Sequence, residues 1–325
     1  MSDWEGVRLH VVTGKGGTGK TTVAAALALA LAVEGRRVLL AEVEGRQGIA
    51  RLFDTGPLDY TERKLAAGPR GGDVYGLAID AEQALREYFT LFYHLRPAGN
   101  VLERLGAIDF ATTIAPGMRD VLLTGKAYEA ARRRTPSGFA YHAVVLDGPP
   151  TGRIARFLNV NTEVAGLAKV GPIHNQAKSI MRFVKSPRTV VHLTTMLADM
   201  PVQETTDGIA DLQAAGLSVG AVIVNQVRAP LLPAAALTST GARRIGRKTV
   251  AAGLTAAGLD PAPELVAALR RQAGDHAARI ELEGRERTIV AELGRPVYEL
   301  PLLSDGIDLA GLYELALALR NQGAA

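Results

Sequence analysis

Gly14-Lys15-Gly16-Gly17-Thr18-Gly19-Lys20-Thr21-Thr22 is the stretch that decides how this chain folds. An apolar run, Val7 to Thr13, leads into it, and an alanine-rich run, Val23 to Val33, leads out. Strand, glycine turn and helix in that order are the setting of the G-x-x-x-x-G-K-[ST] phosphate loop. Bare backbone can curl round an anion with its N–H groups pointing inward. A helix beginning near Lys20 adds unpaired N–H groups and the positive end of its dipole at the same point. Lys20 is placed to reach β- and γ-phosphates, and the Thr21 hydroxyl to ligate Mg²⁺. The competing reading is a plain glycine turn, and the full signature between strand and helix disfavours it. Gly14 to Thr22 therefore predict a nucleotide site.

Working outward, Arg37 to Val43 reads as a second strand that completes a βαβ unit. Glu44 to Gly48 form a loop at its carboxyl end, the edge of a parallel sheet where ligands sit. Residues 54–73 read as loop with at most a short helix, and Val74 to Asp80 as a strand. Helical spacing then runs through Leu85, Tyr88, Phe89, Phe92 and Leu95. A helix from Arg119 to Arg134 ends in three arginines, read as a solvated helix end and not as a nucleic-acid patch.

Ala143 to Asp147 is a buried strand ending in an acid, and Gly148-Pro149-Pro150-Thr151-Gly152 is a stiff turn. Helix from Arg153 to Val184 is broken at Gly171-Pro172, and strands return at Thr189 to Leu193 and Val219 to Asn225. A helical region over 234–293, a strand Val297 to Leu300 and a helix Leu309 to Leu319 close the chain. The alternation predicts an α/β fold: a doubly wound, mainly parallel sheet in a single domain over 1–325. Helical insertions are expected at approximately 81–135 and 153–186. No internal repeat is visible, so one nucleotide site per chain is expected.

Cysteine is absent, which excludes disulfides, thiolate zinc sites and cysteine-held iron–sulfur clusters. The net charge of +4 is too small for this length to argue for nucleic acid. Met1-Ser2-Asp3-Trp4-Glu5 is acidic where a secretory leader would be basic. The longest apolar run, Val23 to Val33, falls short of the roughly 20 residues of a membrane helix. A cytoplasmic protein, with peripheral membrane contact left open, is the expectation. His94, His142, His174 and His192 lack metal-ligand spacing and read as structural or surface residues.

Asp147 leaves an apolar strand where phosphate-loop enzymes place the carboxylate that orients magnesium. Lys15 adds a second lysine inside the loop. Lys15 to Thr22 resembles the deviant phosphate loop shared by arsenite-pump ATPases, tail-anchored-protein targeting ATPases, nitrogenase iron proteins and partition ATPases. There the additional lysine reaches across a dimer to the partner's nucleotide and supplies charge in trans. Asp147-Gly148-Pro149-Pro150-Thr151-Gly152 resembles the D-[ST]-[AP]-P-T-G segment of the arsenite-pump and tail-anchored-targeting branch, and the likeness continues through Arg156-Phe157-Leu158. Pro116-Gly117 resembles the branch's P-G-x-[DE]-E stretch, with Arg119-Asp120 in place of its two acids. Val224-Asn225-Gln226 is similar to the strand end whose asparagine binds adenine, and Leu300-Pro301-Leu302 to the segment that packs on the purine.

The resemblance implies a P-loop NTPase that uses ATP and Mg²⁺. Its catalytic residues would be Lys15, Lys20, Glu44 and Asp147, with Thr21 and Asp147 at the metal. Gly14, Lys15, Gly16, Gly17, Thr18, Gly19, Lys20, Thr21, Thr22, Asn225, Pro301 and Leu302 would contact nucleotide. It further implies a dimer with an identical or related chain, and a client protein or membrane partner.

Departures from the branch matter as much. Where it has D-P-A-H-[NS], this chain has Glu44-Gly45-Arg46-Gln47-Gly48. Glu44 takes the position of the acid that handles the attacking water. The extra methylene moves the carboxylate by about 1.5 Å, and a displacement of about 1 Å can cost ~10²-fold in rate. Slow hydrolysis, or a backbone adjusted at Gly45, is expected. The cysteine-held zinc clamp of the targeting ATPases, and activation by arsenite through thiolates, have no ligands here.

A methionine-rich client groove is not supported by five methionines, among them Met118, Met181, Met196 and Met200. Phe89, Phe92, Tyr93 and Phe183 could line such a groove instead, with core packing the favoured role. The leading expectation is a Mg-ATP-dependent dimeric ATPase that opens and closes around a partner or client. The alternative is a nucleotide-gated switch with negligible turnover. A partition-type ATPase acting on DNA or membrane ranks third. Arg132 to Arg134, Arg243, Arg244, Arg247 and Lys248 support it, but Leu309 to Arg320 is hardly basic.

Overall fold

Strands apolar along their whole length need a sheet covered on both faces, and this chain builds one. The computed structural model describes residues 4–93, 117–167, 172–304 and 306–325. The strands are β1 (Leu9–Gly14), β2 (Arg37–Glu42), β3 (Arg63–Ala67) and β4 (Asp73–Ala78), a small ribbon of β5 (Arg134–Thr135) and β6 (Gly138–Phe139), then β7 (Ala143–Asp147), β8 (Thr189–Thr195), β9 (Val219–Val227) and β10 (Val297–Pro301). Eight of them form one sheet in the order β10-β9-β8-β1-β7-β2-β4-β3. Only β3 in that sheet is antiparallel to its neighbour, so the mainly parallel α/β architecture is as expected.

The helices are α1 (Lys20–Leu31), α2 (Gly48–Leu52), α3 (Ala81–Tyr93), α4 (Met118–Arg132), α5 (Thr151–Leu167), α6 (Pro172–Val184), α7 (Asp199–Ala214), α8 (Ser239–Arg243), α9 (Arg247–Ala256), α10 (Pro263–Glu292) and α11 (Leu309–Asn321). Side chains alternate across a strand, and β1 and β7 sort accordingly. Val12 and Val145 pack with α1 and α11, while Val11, Val144 and Leu146 pack with α4 to α7. Ile154, Phe157 and Leu158 of α5 and Ile180 and Phe183 of α6 share that second core directly with the strands.

Every residue of α1 from Val23 to Leu31 is buried. A helix apolar all round must be covered all round, and α11 covers the side that the sheet does not. Leu312, Leu315, Ala316 and Leu319 form the buried face of α11, and Arg320 Nη1 donates to Ala30 O at 2.9 Å. The apolar face that a membrane-binding terminal helix would use is thus occupied by α1.

Besides the short α2 and the β5–β6 ribbon, which begins at Arg134 where helix is expected, two elements of the main layers depart from the expectation. Residues 54–73 contain β3, an edge strand whose Arg63 and Lys64 hide its alternation and guard the open edge. Asp199–Ala214, where no element is expected from the sequence, forms α7. The expected segment 94–116, including His94, lies outside the described residues, as do the side chains of Phe89, Phe92 and Tyr93. Phe183 is buried against Tyr128 at 5.4 Å between ring centroids. The arginines after α4 are partly engaged: Arg133 bonds Glu62 and Glu129 at 2.7 and 2.6 Å, and Arg134 lies over Phe139.

His10 and His192 form a buried pair between β1 and β8, with 3.1 Å between Nδ1 of the first and Nε2 of the second. Ala221 N donates to His192 Nδ1 at 3.1 Å. A backbone N–H can only donate, so His192 carries its proton on Nε2 and passes the bond to His10 Nδ1. Burial holds both rings well below the usual histidine range, and the neighbouring His192 and His142 further oppose charge on His10. The folded chain keeps them neutral while the unfolded chain takes up protons below about pH 6.5. Their contribution is complete above that pH and is lost as pH falls. Each should remove about 1.4 kcal/mol between pH 7.5 and 5.5. Urea unfolding at the two pH values should show that loss; a midpoint that does not move would contradict it.

Candidate nucleotide site

Parallel strands deliver their carboxyl ends to one edge, and that edge collects the polar residues that the apolar strands lack. Register places Val12 of β1 beside Asp147 of β7, Gly14 beside Thr194 of β8, and Glu42 of β2 beside Asp147. Asn225 of β9 and Pro301 of β10 lie toward the carboxyl ends of their strands. The switch point lies at β1 and β8, since β1 connects towards β2 on one side while β8 leads on to β9 and β10 on the other.

The loop after β1 needs glycine at two close approaches. A Cβ on Gly14, at φ 155°, would lie 2.2 Å from Thr194 O. One on Gly19, at φ 85°, would lie 2.3 Å from Asn225 Nδ2. Thr18 closes the turn, its N and Oγ1 donating to Lys15 O at 3.3 and 2.8 Å. Asn225 Nδ2 donates to Thr18 O at 2.9 Å and so braces the loop from β9. Gly16 and Gly17 face open space. Lys20, Thr21 and Thr22 form the first turn of α1, whose unpaired N–H groups point into the loop.

Thr21 Oγ1 donates to Asp147 Oδ2 at 2.6 Å, while Asp147 Oδ1 is buried without a partner. Burial pushes the Asp147 carboxyl up to about 6, against the pull of the Thr21 bond and the Lys20 charge. Burial likewise lowers the Lys20 ammonium, opposed by Asp147 and Glu44. One carboxylate and one hydroxyl, with an oxygen in want of a partner, suit Mg²⁺, which takes few protein oxygens and keeps waters and phosphates for the rest. The turn beyond is fastened to β1: Gly148 N donates to Val12 O at 2.9 Å, and Thr13 Oγ1 to Pro149 O at 2.7 Å.

Glu44 lies near this centre but is not alone. Its carboxylate meets Arg46 at 3.2 Å and Arg153 at 3.8 Å, and Arg153 also lies 3.7 Å from Asp120. Glu44, Arg46, Arg119, Asp120 and Arg153 line one cleft, so the Arg119-Asp120 pair faces the acid in question. Leu302, 45% exposed, leaves an apolar side chain past β10, and its N–H donates to Val227 O at 2.9 Å. Lys15 Nζ donates to Glu204 Oε1 of α7.

Three residues of this edge escaped the sequence reading. Glu42 is buried and accepts from Gln47 N at 3.0 Å and Ile49 N at 3.5 Å, capping α2. Gln47, at φ 55°, pairs both ways with the Leu58 backbone at 2.9 and 2.7 Å. The usable signal is an acid that ends the apolar run Val38 to Ala41 of β2 and stays buried. Glu204 gave none.

A parallel sheet with a phosphate loop on its switch-point strand, and an acid ending the adjacent strand, defines a P-loop NTPase fold. Residues 7–196 match the family model described as anion-transporting ATPase, and the chain belongs to that family. It is 49% identical over 319 residues to ATPase BagA of Mycobacterium tuberculosis, covering 98% of this chain and 94% of that one. It is 24% identical over 234 residues to the arsenical pump-driving ATPase of Acidiphilium multivorum, covering 66% of this chain and 38% of that one. Among the described residues no helix is long and apolar enough to cross a membrane.

Proposed function

We propose that the chain is a Mg-ATP-dependent ATPase, one nucleotide unit over residues 1–325, that works in the cytoplasm as a pair with an identical or related chain. Opening and closing of the pair would be coupled to a partner or client. The observation that carries the reading is the buried, unpartnered Asp147 Oδ1 beside the Thr21 hydroxyl, next to a glycine turn that bears Lys20. ATP phosphates would lie on the loop N–H groups, with Lys20 on the β- and γ-oxygens. Thr21 and Asp147 would hold Mg²⁺, which neutralises phosphate charge when bound.

Glu44 would orient a water whose oxygen bonds the γ-phosphorus as the bond to the β–γ bridging oxygen breaks. Lys15 of each chain would meet the charge developing on the partner's nucleotide. Asn225, Pro301 and Leu302 would take the adenine, the exposed Leu302 offering apolar surface. Phosphate release by the full chain is expected to require Mg²⁺ and to vanish in Lys15→Ala, which should still bind ATP. Wild-type turnover in Lys15→Ala would overturn the paired mechanism.

The ion pairs of Glu44 with Arg46 and Arg153 favour a second reading, a nucleotide-gated switch with negligible turnover. Tight ATP binding without phosphate release over hours would select it.

A further inference from the structure

The proposed mechanism needs Lys15 to reach another chain, yet its ammonium is engaged at home. Lys15 and Glu204 form an ion pair with side chains 29% and 38% exposed. We infer that Glu204 is a latch that holds Lys15 within its own chain until nucleotide-dependent pairing pulls it away, and so sets how readily two copies pair. The inference rests on the paired reading above and adds to it a positioning residue.

The geometry singles out this contact. Glu204 stands in the second turn of α7, an element that belongs neither to the loop nor to its strand. Its neighbours spend their polar atoms within α7: Gln203 on Asp207, Thr205 on Pro201 O, Thr206 on Val202 O. Glu204 instead reaches across 189 positions of sequence to the loop. Among the described residues no other side chain pairs with the Lys15 ammonium. The crown of the loop itself is open, since a Cβ on Gly16 or Gly17 would meet nothing within 4 Å.

α7 also lies against the turn that carries the acid. A Cβ on Gly208 would be 3.0 Å from Thr151 Cγ2, and Thr151 opens α5 directly after Pro150. One helix therefore touches both the signature lysine and the segment after Asp147. A lysine neutralised by its own glutamate cannot offer its charge to a neighbour's γ-phosphate. Release must precede or accompany closure.

A partly exposed ion pair is worth a factor of roughly 1.4 to 5 in an equilibrium constant. A symmetric pair of chains releases two latches, so removing both should tighten pairing by about 2- to 25-fold. The test is sedimentation of the full chain with Mg²⁺ and a non-hydrolysable ATP analogue at low salt. Glu204→Gln should lower the dissociation constant of the pair by that factor, and Glu204→Asp, one methylene shorter, should fall between. On a Lys15→Gln background the same Glu204→Gln change should do nothing, a result that a merely structural glutamate would not give. Wild type that pairs with nucleotide while Glu204→Gln pairs equally well or less well would overturn the latch and leave the paired mechanism standing. Failure of every variant and of wild type to pair would overturn the paired mechanism, and the latch with it.

Discussion

Lys20→Ala is expected to lower ATP turnover by at least about 10²-fold, the scale of losing one preorganised charge-stabilising donor. Two effects combine at this position. The half-buried ammonium of Lys20 is the cation at the first residue of α1, where the helix dipole already favours an anion. Its charge also holds down the Asp147 carboxyl, which burial pushes the other way. Without Lys20 the acid would cling to its proton more strongly and offer a poorer oxygen to Mg²⁺. Lys20→Arg should not rescue, because a planar fork does not replace a compact ammonium in a turn that passes so close to Asn225. Phosphate release at saturating ATP, with folding checked by circular dichroism, decides the matter. Equal rates for Lys20→Ala and wild type would remove the hydrolase reading.

Asp147→Asn should cut Mg-dependent turnover by a comparable factor and at the same time stabilise the nucleotide-free chain. The folded carboxyl titrates at about 6, against an ordinary value of 3.8. Above pH 6 the folded protein carries a buried charge that the unfolded chain would hold at less cost. Each tenfold change in proton affinity corresponds to about 1.4 kcal/mol, so the penalty at pH 7 is of the order of 3 kcal/mol. It shrinks as pH falls from 6 towards 3.8, where the unfolded carboxyl also takes up its proton. Asparagine keeps an acceptor for the Thr21 hydroxyl and avoids the charge. Thermal melts should therefore show Asp147→Asn above wild type at pH 7, with the gap closing near pH 4. A lower melting temperature at pH 7 would refute the claim that this carboxylate is held ready for a cation at the expense of stability.

The parts of this site legible in sequence are those whose chemistry is local. Gly14 to Thr22 announce a phosphate loop because turn, lysine and hydroxyl must be neighbours in the chain, and Asp147 announces itself because an acid ends an apolar strand. Parallel register then makes the two meet, which the βαβ alternation already implied. Glu204 was illegible for the opposite reason: only the packing of α7 brings it to Lys15, and nothing in its own surroundings marks it. β3 was hidden by its charges, which guard an edge and mask its period. In sequence Asn225 reads as a base contact, and its brace on Thr18 depends on how near β9 passes to Gly19.

The strand order carries a consequence for biosynthesis. β1 finds its two neighbours only at Ala143–Asp147 and Thr189–Thr195, and the brace on its loop only at Asn225. Contacts so distant along the chain slow folding, because long loops must close before they are rewarded. A nascent polypeptide emerging from the ribosome would present its glycine turn long before that turn had walls. It would stay blind to nucleotide until synthesis had passed Asn225.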